Sequence, residues 1–534
     1  MDAQPTEPQA DGADTRAAGL VAGGILLSRI TGLVRERVFA HYFGVSAYAD
    51  VFRIGLRMPN VLQNLLGEGT LSASFIPVYA ELLHKGRREE AGRVAGAVFA
   101  LLFAVAGALT IIGIAAAPII VTVFTPGFED LRYRLAVRVV RIIFPMTGTL
   151  VLSAWALGVL NSHRRFFISY VAPVLWSAAM IATLLYFGGR MDLDDLTIAL
   201  AWGAFAGGVL QFAVQLPFVL RLEPNLKIRW APRLEGVRTA IRNAGPAIAG
   251  RGVVQLSAYV DMFLATILAE GAVAALGYAQ TIYMLPISLF GISVAAAELP
   301  ELARGRDQAV GALRARVDAG LRRIAVFVVP SVIGILTLGD VIVGALYETG
   351  EFGAGETLFV YVVLAGYTIG LMASTATRLF SSAFFALHDT RTPAKIAIVR
   401  VVLAGGVGAG AMLWLRNYSL GGYPLGAVGL STAAGLAAWV EWALLRRKLR
   451  GLIGEIGAGA GLLARLGVAA IAGAAAGRAS LSLVPATAPG FLAGYEPVIE
   501  AAVAVPAFGV VYFGAAHLLR VDEASRAVRA LLRR

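Results

Sequence analysis

Charged side chains inside an apolar stretch are the feature that most constrains this chain. Residues 18–80 have the Leu, Val, Ile, Ala and Gly content of membrane-spanning helices. A charge at the centre of a bilayer costs about 2.5–3.5 kcal/mol on insertion scales, so it is retained mainly where it meets water or another charge. This stretch therefore predicts a protein that moves something polar across a bilayer. Its charged residues are Arg29, Arg35, Glu36, Arg37, Asp50, Arg53, Arg57 and Glu68.

The composition indicates a membrane protein and excludes several kinds of chemistry. Of 534 residues, 58% are hydrophobic and 15% are charged, whereas soluble domains average about 45–50% apolar and about 25% charged residues. The chain has no cysteine, which excludes disulfides, thiol catalysis and cysteine-based zinc sites. Its five histidines form no HExxH motif. We therefore expect no metal and no cofactor.

Hydrophobic segments long enough to span a bilayer recur along the whole chain. About 20 apolar residues are needed for one crossing, and fourteen such segments are present. The sequence predicts an all-α polytopic membrane protein with 14 transmembrane helices. The segments are 18–42, 51–82, 94–124, 135–160, 166–188, 196–221, 238–269, 272–300, 317–347, 357–387, 393–415, 425–445, 460–483 and 496–519.

The loops between these segments alternate between basic and base-poor. Basic loops stay in the cytoplasm, so this alternation places both termini inside. The formal net charge of +12 follows from these loops and does not indicate a nucleic-acid partner. Residues 1–17 are polar and lack a signal peptide, which predicts a disordered cytoplasmic tail.

The domain boundaries follow from the longest basic connection in the first half of the chain, residues 223–236. Arg251, Asp261 and Pro286 after it echo the embedded charges and Pro59 before it, which suggests an internal repeat of the kind common in transporters. Two lobes around a central cavity would give the charges an aqueous location. The predicted parts are the tail at 1–17, an N-lobe at 18–222, a linker at 223–236, a C-lobe at 237–450 and, at 451–534, two further helices with a basic tail.

A polar stripe is predicted on the second helix. Positions 50, 53, 57, 60, 64 and 68 follow helical spacing, so Asp50, Arg53 and Arg57 share one face. Pro59 removes a backbone hydrogen bond and kinks this helix. In the first helix, Arg29 and Glu36 share one face, whereas Arg35 lies on a different face. Two simpler interpretations stay open: the charges pair with one another, or they extend to the membrane surface.

Several arginines around one cavity have a defined chemical preference. A guanidinium grips a phosphate through a fixed fork of donors. A cleft of this kind, open to lipid at its side, would suit a lipid with a diphosphate headgroup. A cationic drug would be repelled by it.

Particular motifs make the chain resemble a known family. They are Ser28-Arg29-Ile30-Thr31-Gly32-Leu33-Val34-Arg35-Glu36, Met58-Pro59-Asn60 with Glu68-Gly69, Phe75-Ile76-Pro77, and the segments 158–176, 243–265, 346–357 and 381–399. From about residue 18 onward, the chain resembles the MurJ (MviN) family of lipid II flippases. These belong to the multidrug/oligosaccharidyl-lipid/polysaccharide exporter superfamily.

The resemblance implies a fold, a substrate and several site residues. Two six-helix lobes and a C-terminal helix pair would flip undecaprenyl-diphosphate-linked disaccharide pentapeptide (lipid II) to the periplasmic leaflet of a bacterial inner membrane by alternating access. Membrane lipids and cell-wall synthesis enzymes are the other implied partners. The family's cavity residues match Arg29, Arg35, Arg57, Asp50 and, in helix 10, Arg378.

The chain also departs from the family pattern. Arginines common in the family fall on Gln63 and Thr281 here, whereas Arg53 and Arg251 are unusual additions. Our hypothesis is that the two additions replace the missing guanidiniums. The alternative is that Arg251 only pairs with Asp261 or with a backbone carbonyl.

The driving force is left open by the sequence. Asp261 and Thr432 would fit a sodium site known in some members, but Ala404 and Gly408 occupy its helix-11 positions, which argues against sodium. Glu441, embedded in an apolar segment, is a candidate for proton coupling or for simple pairing. Membrane potential acting on the diphosphate is a third candidate.

Other functions remain as alternatives. One alternative is a flippase for another polyprenyl-diphosphate glycan, and another is a drug or ion antiporter of the same superfamily. A third is a scaffold protein that transports nothing. An enzyme is disfavoured, because Glu298 and Glu301 have no histidine or metal-ligand partner nearby in the sequence. No Gly-x4-Gly-Lys-Ser/Thr motif for ATP is present.

Overall fold

The structure, a computed structural model, describes residues 11–288, 310–484 and 494–524. Within these ranges, the side chains of residues 11–22, 247, 249–258, 261 and 310 lie outside the description. The contacts divide the chain into two compact units. The first contains residues up to Phe43 and Ala47–Tyr259, and the second contains Gly44–Ser46 and the chain from Val260 onward.

The first unit is built from helices alone. α1 begins inside the segment predicted as a disordered tail, and the last helix, α9, continues past the end of the unit. The helices are α1 Asp11–Phe43, α2 Ala47–Arg57, α3 Asn60–Leu66, α4 Glu68–His84, α5 Arg88–Phe124, α6 Asp130–Ser162, α7 Phe166–Phe187, α8 Leu193–Leu222 and α9 Glu235–Thr266.

The second unit is also helical, with one short hairpin in which Leu420 pairs with Tyr423. A 3-10 turn, Leu481–Leu483, follows α16. The elements are α10 Ala272–Pro286, α11 Val310–Tyr347, α12 Ala354–Thr368, α13 Leu371–Ala386, α14 Arg391–Leu415, β1 Ser419–Leu420, β2 Tyr423–Pro424, α15 Gly426–Ile453, α16 Ala460–Ser480 and α17 Glu496–Leu518.

Each of the fourteen predicted spans contains a helix, and the predicted all-α polytopic class is confirmed. In the part of the chain that the structure describes, nine helices are long and apolar enough to cross a membrane. A tenth crossing results if α12 and α13, which meet at a bend of 42°, form one broken span. The charged first span, the broken second span, α9 and α10 do not pass this test, so the count of fourteen stays a prediction.

Helix α6 forms the centre of the first unit. It packs against α5, α7 and α8 and against the pieces of the second span. Its Trp155 is fully buried, and the indole Nε1 donates to the carbonyl of Ala95 in α5 at 3.1 Å. This bond satisfies the polar atom of the largest buried side chain, which an apolar core requires.

The second span is broken into α2, α3 and α4, as Pro59 predicts. Pro59 lies between α2 and α3, and Gly67, with extended backbone, lies between α3 and α4. The hydroxyl of Tyr259 in α9 donates to the carbonyls of Arg57 and Met58, at 3.2 Å each. A side chain from another helix therefore satisfies carbonyl groups at the break.

The predicted linker at 223–236 lies against the first unit. Its buried Glu223 accepts a hydrogen bond of 2.8 Å from the Tyr79 hydroxyl, and His163 Nε2 lies 3.0 Å from the same oxygen. Since the hydroxyl proton goes to Glu223, His163 donates through Nε2. Burial is the main cause that lowers the pKa of His163. A Cβ on Gly96 would lie 2.1 Å from the Lys227 carbonyl oxygen, so the linker backbone touches α5 directly.

Small residues and ion pairs between helices connect the helices of the second unit. Gly435 in α15 crosses the α12–α13 bend so closely that a Cβ there would lie 2.7 Å from the Gly366 carbonyl oxygen. Close crossings of this kind are how helices associate in lipid. Arg478, a charge in the Ala/Gly-rich helix α16, bonds Asp340 of α11 at 2.7 Å. The ion pair explains how an apolar span tolerates this arginine.

We predict that Gly435→Ala destabilises the protein while Gly410→Ala, in α14, does not. At Gly435 the added methyl group would meet backbone that cannot rotate away, and overpacking of this kind costs about 1–3 kcal/mol. At Gly410 nothing lies within 4 Å, and the gain in helix propensity favours alanine. Thermal unfolding in detergent measures both. Equal midpoints for the two variants would contradict the close crossing.

Candidate functional site

A cluster of three charged side chains links α1 and α2 in the first unit. The Glu36 carboxylate accepts from Arg35 at 3.0 Å through Oε1 and from Arg53 at 2.8 Å through Oε2. The exposed fractions of the Arg35, Glu36 and Arg53 side chains are 18%, 15% and 16%. The cluster carries one negative and two positive charges, so a net positive charge remains in a mostly apolar surrounding.

Aromatic rings support both guanidinium groups of this cluster. The Arg35 guanidinium carbon lies 4.7 Å from the ring centre of Trp176 in α7, and its Nη1 donates to Ser177 at 3.3 Å. The Arg53 guanidinium carbon lies 5.2 Å from the ring of Phe39. Stacking on aromatic faces and bonding to carboxylate together fix the direction of the donors.

Only the first three members of the predicted polar stripe lie on α2, because the breaks after Arg57 and at Gly67 place its other members on α3 and α4. Asp50 is buried, with 1% of its surface exposed. Arg53 joins Glu36, while Arg57, at the end of α2, is half-buried. Among the described residues, no ion pair or hydrogen bond of the Arg57 guanidinium is present. Arg57 therefore retains donors for an incoming anion.

The remaining predicted residues of the first half are distributed as follows. Arg29 lies on an exposed part of α1. The side chains of Arg251 and Asp261 lie outside the description, as do Glu298 and Glu301. The replacement hypothesis for Arg251 therefore stays a prediction.

The two positions where the family pattern has arginine hold no cation. The Gln63 side chain is half-buried in α3. The backbone carbonyl oxygen of Gln63 accepts a hydrogen bond from the backbone amide of Gly67 at 2.8 Å. The Thr281 hydroxyl donates to the carbonyl of Gly277 in its own helix at 3.0 Å. Both side chains are shorter than an arginine side chain, so neither reaches as far as the guanidinium of an arginine at the same position.

A second charged cluster lies in the second unit. Glu441 of α15 is buried, and Arg400 of α14 donates to its Oε2 at 3.0 Å. Arg378 of α13 is exposed, and no partner of its guanidinium is found in the described part of the chain. Nearby, the Tyr283 hydroxyl donates to Ser374 at 2.8 Å. The open alternative for Glu441 is thus partly resolved, because the residue is paired in this conformation.

Of the residues considered for ion coupling, the side chains of Thr432 and Glu441 are described and that of Asp261 is not, so the predicted ion site stays a prediction. Thr432 is half-buried next to Gly366. No group of three or more His, Cys, Asp or Glu side chains able to hold a metal ion is found among the residues searched.

Three contributors were missed by reasoning from the sequence. Arg400, inside the run AIVRVVLA, carried a usable signal, because it is a charge in a predicted span. Trp176 and Tyr259 had no comparable signal in the sequence, since aromatic residues are common in membrane helices. Only the fold shows that one stacks on Arg35 and that the other bonds the broken helix.

Both clusters have the chemistry of anion binding. Each arginine presents five donors, and a carboxylate occupies only some of them. The remaining donors can bind phosphate oxygens in pairs. A cationic ligand would gain little from Glu36 or Glu441, because each carboxylate is already engaged by arginine.

Comparisons with known proteins identify the family of this chain. The family model described as lipid II flippase MurJ matches residues 39–492. A probable lipid II flippase MurJ of Haemophilus influenzae is 33% identical over 440 residues, which cover 79% of this chain and 84% of the relative. The lipid II flippase MurJ of Burkholderia cenocepacia is 32% identical over 443 residues, covering 82% and 83%.

Solved structures show the same fold. A lipid II flippase MurJ in an inward closed conformation superposes with a TM-score of 0.74 at 21% identity, covering 94% of this chain and 99% of the other. An inward-facing multidrug resistance MATE transporter of the MOP superfamily gives 0.64 at 16% identity, covering 82% and 98%. The resemblance inferred from the motifs is confirmed.

We predict that Glu36→Ala lowers the free energy of unfolding by about 3 kcal/mol, because it leaves two half-buried guanidiniums without their shared carboxylate. Chemical unfolding in detergent measures the change. Glu81→Ala is the matched control, because Glu81 pairs with Lys85 on the surface, where ion pairs contribute little. If both variants unfold like the wild type, Glu36 does not hold the cluster together.

Proposed function

The chain belongs to the lipid II flippase MurJ family, and from this premise we propose that it flips lipid II from the cytoplasmic to the periplasmic leaflet by alternating access. The relatives named above are themselves described as lipid II flippases. On this proposal the protein is a transporter and not an enzyme. It moves its substrate without breaking a covalent bond and needs no bound cofactor.

The observation that carries the proposal is the cluster Arg35–Glu36–Arg53 with Arg57 one helical turn further on. Glu36 holds two guanidiniums in fixed directions, so little side-chain entropy is lost when they bind an anion. A lipid diphosphate supplies several phosphate oxygens on one mobile anchor. The Arg35 donors that Glu36 and Ser177 do not use, together with Arg57, would bind these oxygens.

The direction of transport follows from the charges of the loops. Basic loops and both termini are assigned to the cytoplasm by the positive-inside rule, in a bacterial inner membrane. The substrate then enters from the side on which lipid II is made. Cell-wall synthesis enzymes that use the flipped lipid are proposed as functional partners.

Coupling to protons is proposed for Glu441. In the described conformation Arg400 neutralises this buried carboxylate. Protonation of Glu441 would release Arg400 to bind an anion together with Arg378. Asp261 and Thr432 are the corresponding candidates for sodium.

A second candidate function is the flipping of a different polyprenyl-diphosphate glycan. It is favoured by Gln63 and Thr281, which place an amide and a hydroxyl where the family pattern has arginine. Rescue of a bacterial strain depleted of its own lipid II flippase separates the two functions. Growth supports lipid II, and failure despite membrane expression supports another glycan.

We predict that Arg53→Gln and Arg57→Gln each reduce lipid II flipping in proteoliposomes at least about tenfold, because each removes charge-assisted bonds worth about 1.5–3 kcal/mol. Arg251→Gln belongs in the same series, because it tests the replacement hypothesis directly. Arg141→Gln, an exposed arginine of α6, is the control and should flip like the wild type. Unchanged flipping by both Arg53→Gln and Arg57→Gln would exclude this cluster as the substrate site.

We predict that Glu441→Gln flips lipid II at a rate that no longer responds to an imposed proton gradient. The glutamine amide has nearly the shape of the Glu441 carboxyl group but cannot take up a proton. Protonation at position 441 can therefore no longer release Arg400. Flux in liposomes with imposed proton, sodium or potential gradients measures the response. A variant that still responds to the proton gradient like the wild type would show that Glu441 is only a structural partner.

A further inference from the structure

A basic pocket lies at one end of the first unit, away from the Arg35–Glu36–Arg53 cluster. It has a volume of about 490 Å³ and is formed by the turn between α6 and α7 and by the end of α8. Three arginines, Arg164, Arg165 and Arg221, line it together with aromatic and aliphatic side chains that include Phe167 and Phe218. Nothing in the proposed transport cycle uses this pocket.

The pocket lies at the shared end of two helices that are long and apolar enough to span a membrane, which is where lipid headgroups are expected. Helix α7 begins at Phe166 and helix α8 ends at Leu222, and both helices are long and apolar enough to span the membrane. The shared end of two spans marks the boundary between hydrocarbon and headgroup layers. Phe167 and Phe218 are 48% and 38% exposed, so the apolar wall of the pocket is open to an acyl chain.

Among the described residues, no carboxylate compensates the charge of the pocket. Arg164, Arg165 and Arg221 are exposed, and none of them has an ion pair within the described ranges. The nearest carboxylate in sequence, Glu223, is buried and bonded to Tyr79. Helix α7 also starts without a side-chain cap, so its first amide groups add to the positive potential.

Arg164 occupies a backbone conformation that disfavours it. Its φ angle is +58°, in the left-handed region where glycine is the usual residue after a helix. The amide of Arg165 bonds the Leu160 carbonyl at 2.9 Å, which completes this helix-ending motif. Glycine would relieve the backbone strain at this position but would remove one of the three guanidiniums that line the pocket.

We propose that this pocket binds an anionic glycerophospholipid, with its phosphate on the three arginines and an acyl chain against Phe167 and Phe218. Charge complementarity selects an anionic headgroup, and the apolar wall selects a lipid over a free phosphate ion. The bound lipid would fasten the α6–α7 turn to the end of α8. The adjoining linker carries Glu223, so the lipid would also stabilise the way this linker rests on the unit.

The test compares lipid binding by the full chain and by two matched triple variants. Arg164→Gln/Arg165→Gln/Arg221→Gln removes the pocket charges, and Arg229→Gln/Arg233→Gln/Arg238→Gln removes three exposed arginines of the linker region. Native mass spectrometry in detergent titrates phosphatidylglycerol against phosphatidylcholine. For the pocket variant we expect phosphatidylglycerol affinity to fall about fivefold for each arginine removed, with phosphatidylcholine unaffected and the linker variant like the wild type.

Arg164→Gly is the decisive single variant, because it relieves the left-handed backbone while it removes a guanidinium. We expect it to unfold at a higher temperature without lipid yet to bind phosphatidylglycerol more weakly, which misfolding cannot explain. Equal losses in both triple variants would indicate unspecific surface attraction and overturn the proposal. The proposal is also overturned if the pocket variant still binds phosphatidylglycerol but no longer binds undecaprenyl phosphate, since the pocket would then be a binding site for the transported substrate.

Discussion

The Glu36 carboxylate, shared by Arg35 and Arg53, is the interaction on which the first half of the molecule depends. Three charges in an apolar surrounding are stable only if they are paired and oriented. Glu36 ties α1 to α2, and Arg35 extends the connection to α7 through Ser177 and the ring of Trp176. The Arg35 guanidinium keeps donors that Glu36 and Ser177 do not use. Stability and affinity for phosphate therefore come from one arrangement.

The break in the second span gives this arrangement its shape. Pro59 ends the regular hydrogen bonding of α2, and Tyr259 bonds the carbonyls at the break. A straight helix would carry Arg53 and Arg57 along one continuous face into lipid. The break interrupts the helix directly after Arg57, and the carbonyl groups of Arg57 and Met58 accept hydrogen bonds from a protein side chain in place of water. This is how polar backbone is tolerated at membrane depth.

The second unit repeats the principle with different residues. Glu441 and Arg400 pair across α14 and α15, and Arg378 lies on the neighbouring α13. The resemblance in the sequence pointed to Arg378, and the apolar run around Glu441 pointed to that acid. Their relation through Arg400 was not foreseen, because 41 residues separate Arg400 from Glu441. Helical spacing relates residues within one helix only, so it carries no information on which helix lies opposite.

The sequence by itself determined the class of protein, the position of each predicted helix, the kink at Pro59 and the family, because apolar length, proline chemistry and motifs are local properties. It also placed Asp50, Arg53 and Arg57 on one face, since that follows from helical geometry. Only the tertiary structure decided that Arg53 reaches Glu36, that Tyr259 bonds the broken helix and that three arginines from two segments line one basic pocket. These contacts join residues distant in sequence, and their energies depend on burial and direction, which packing alone fixes.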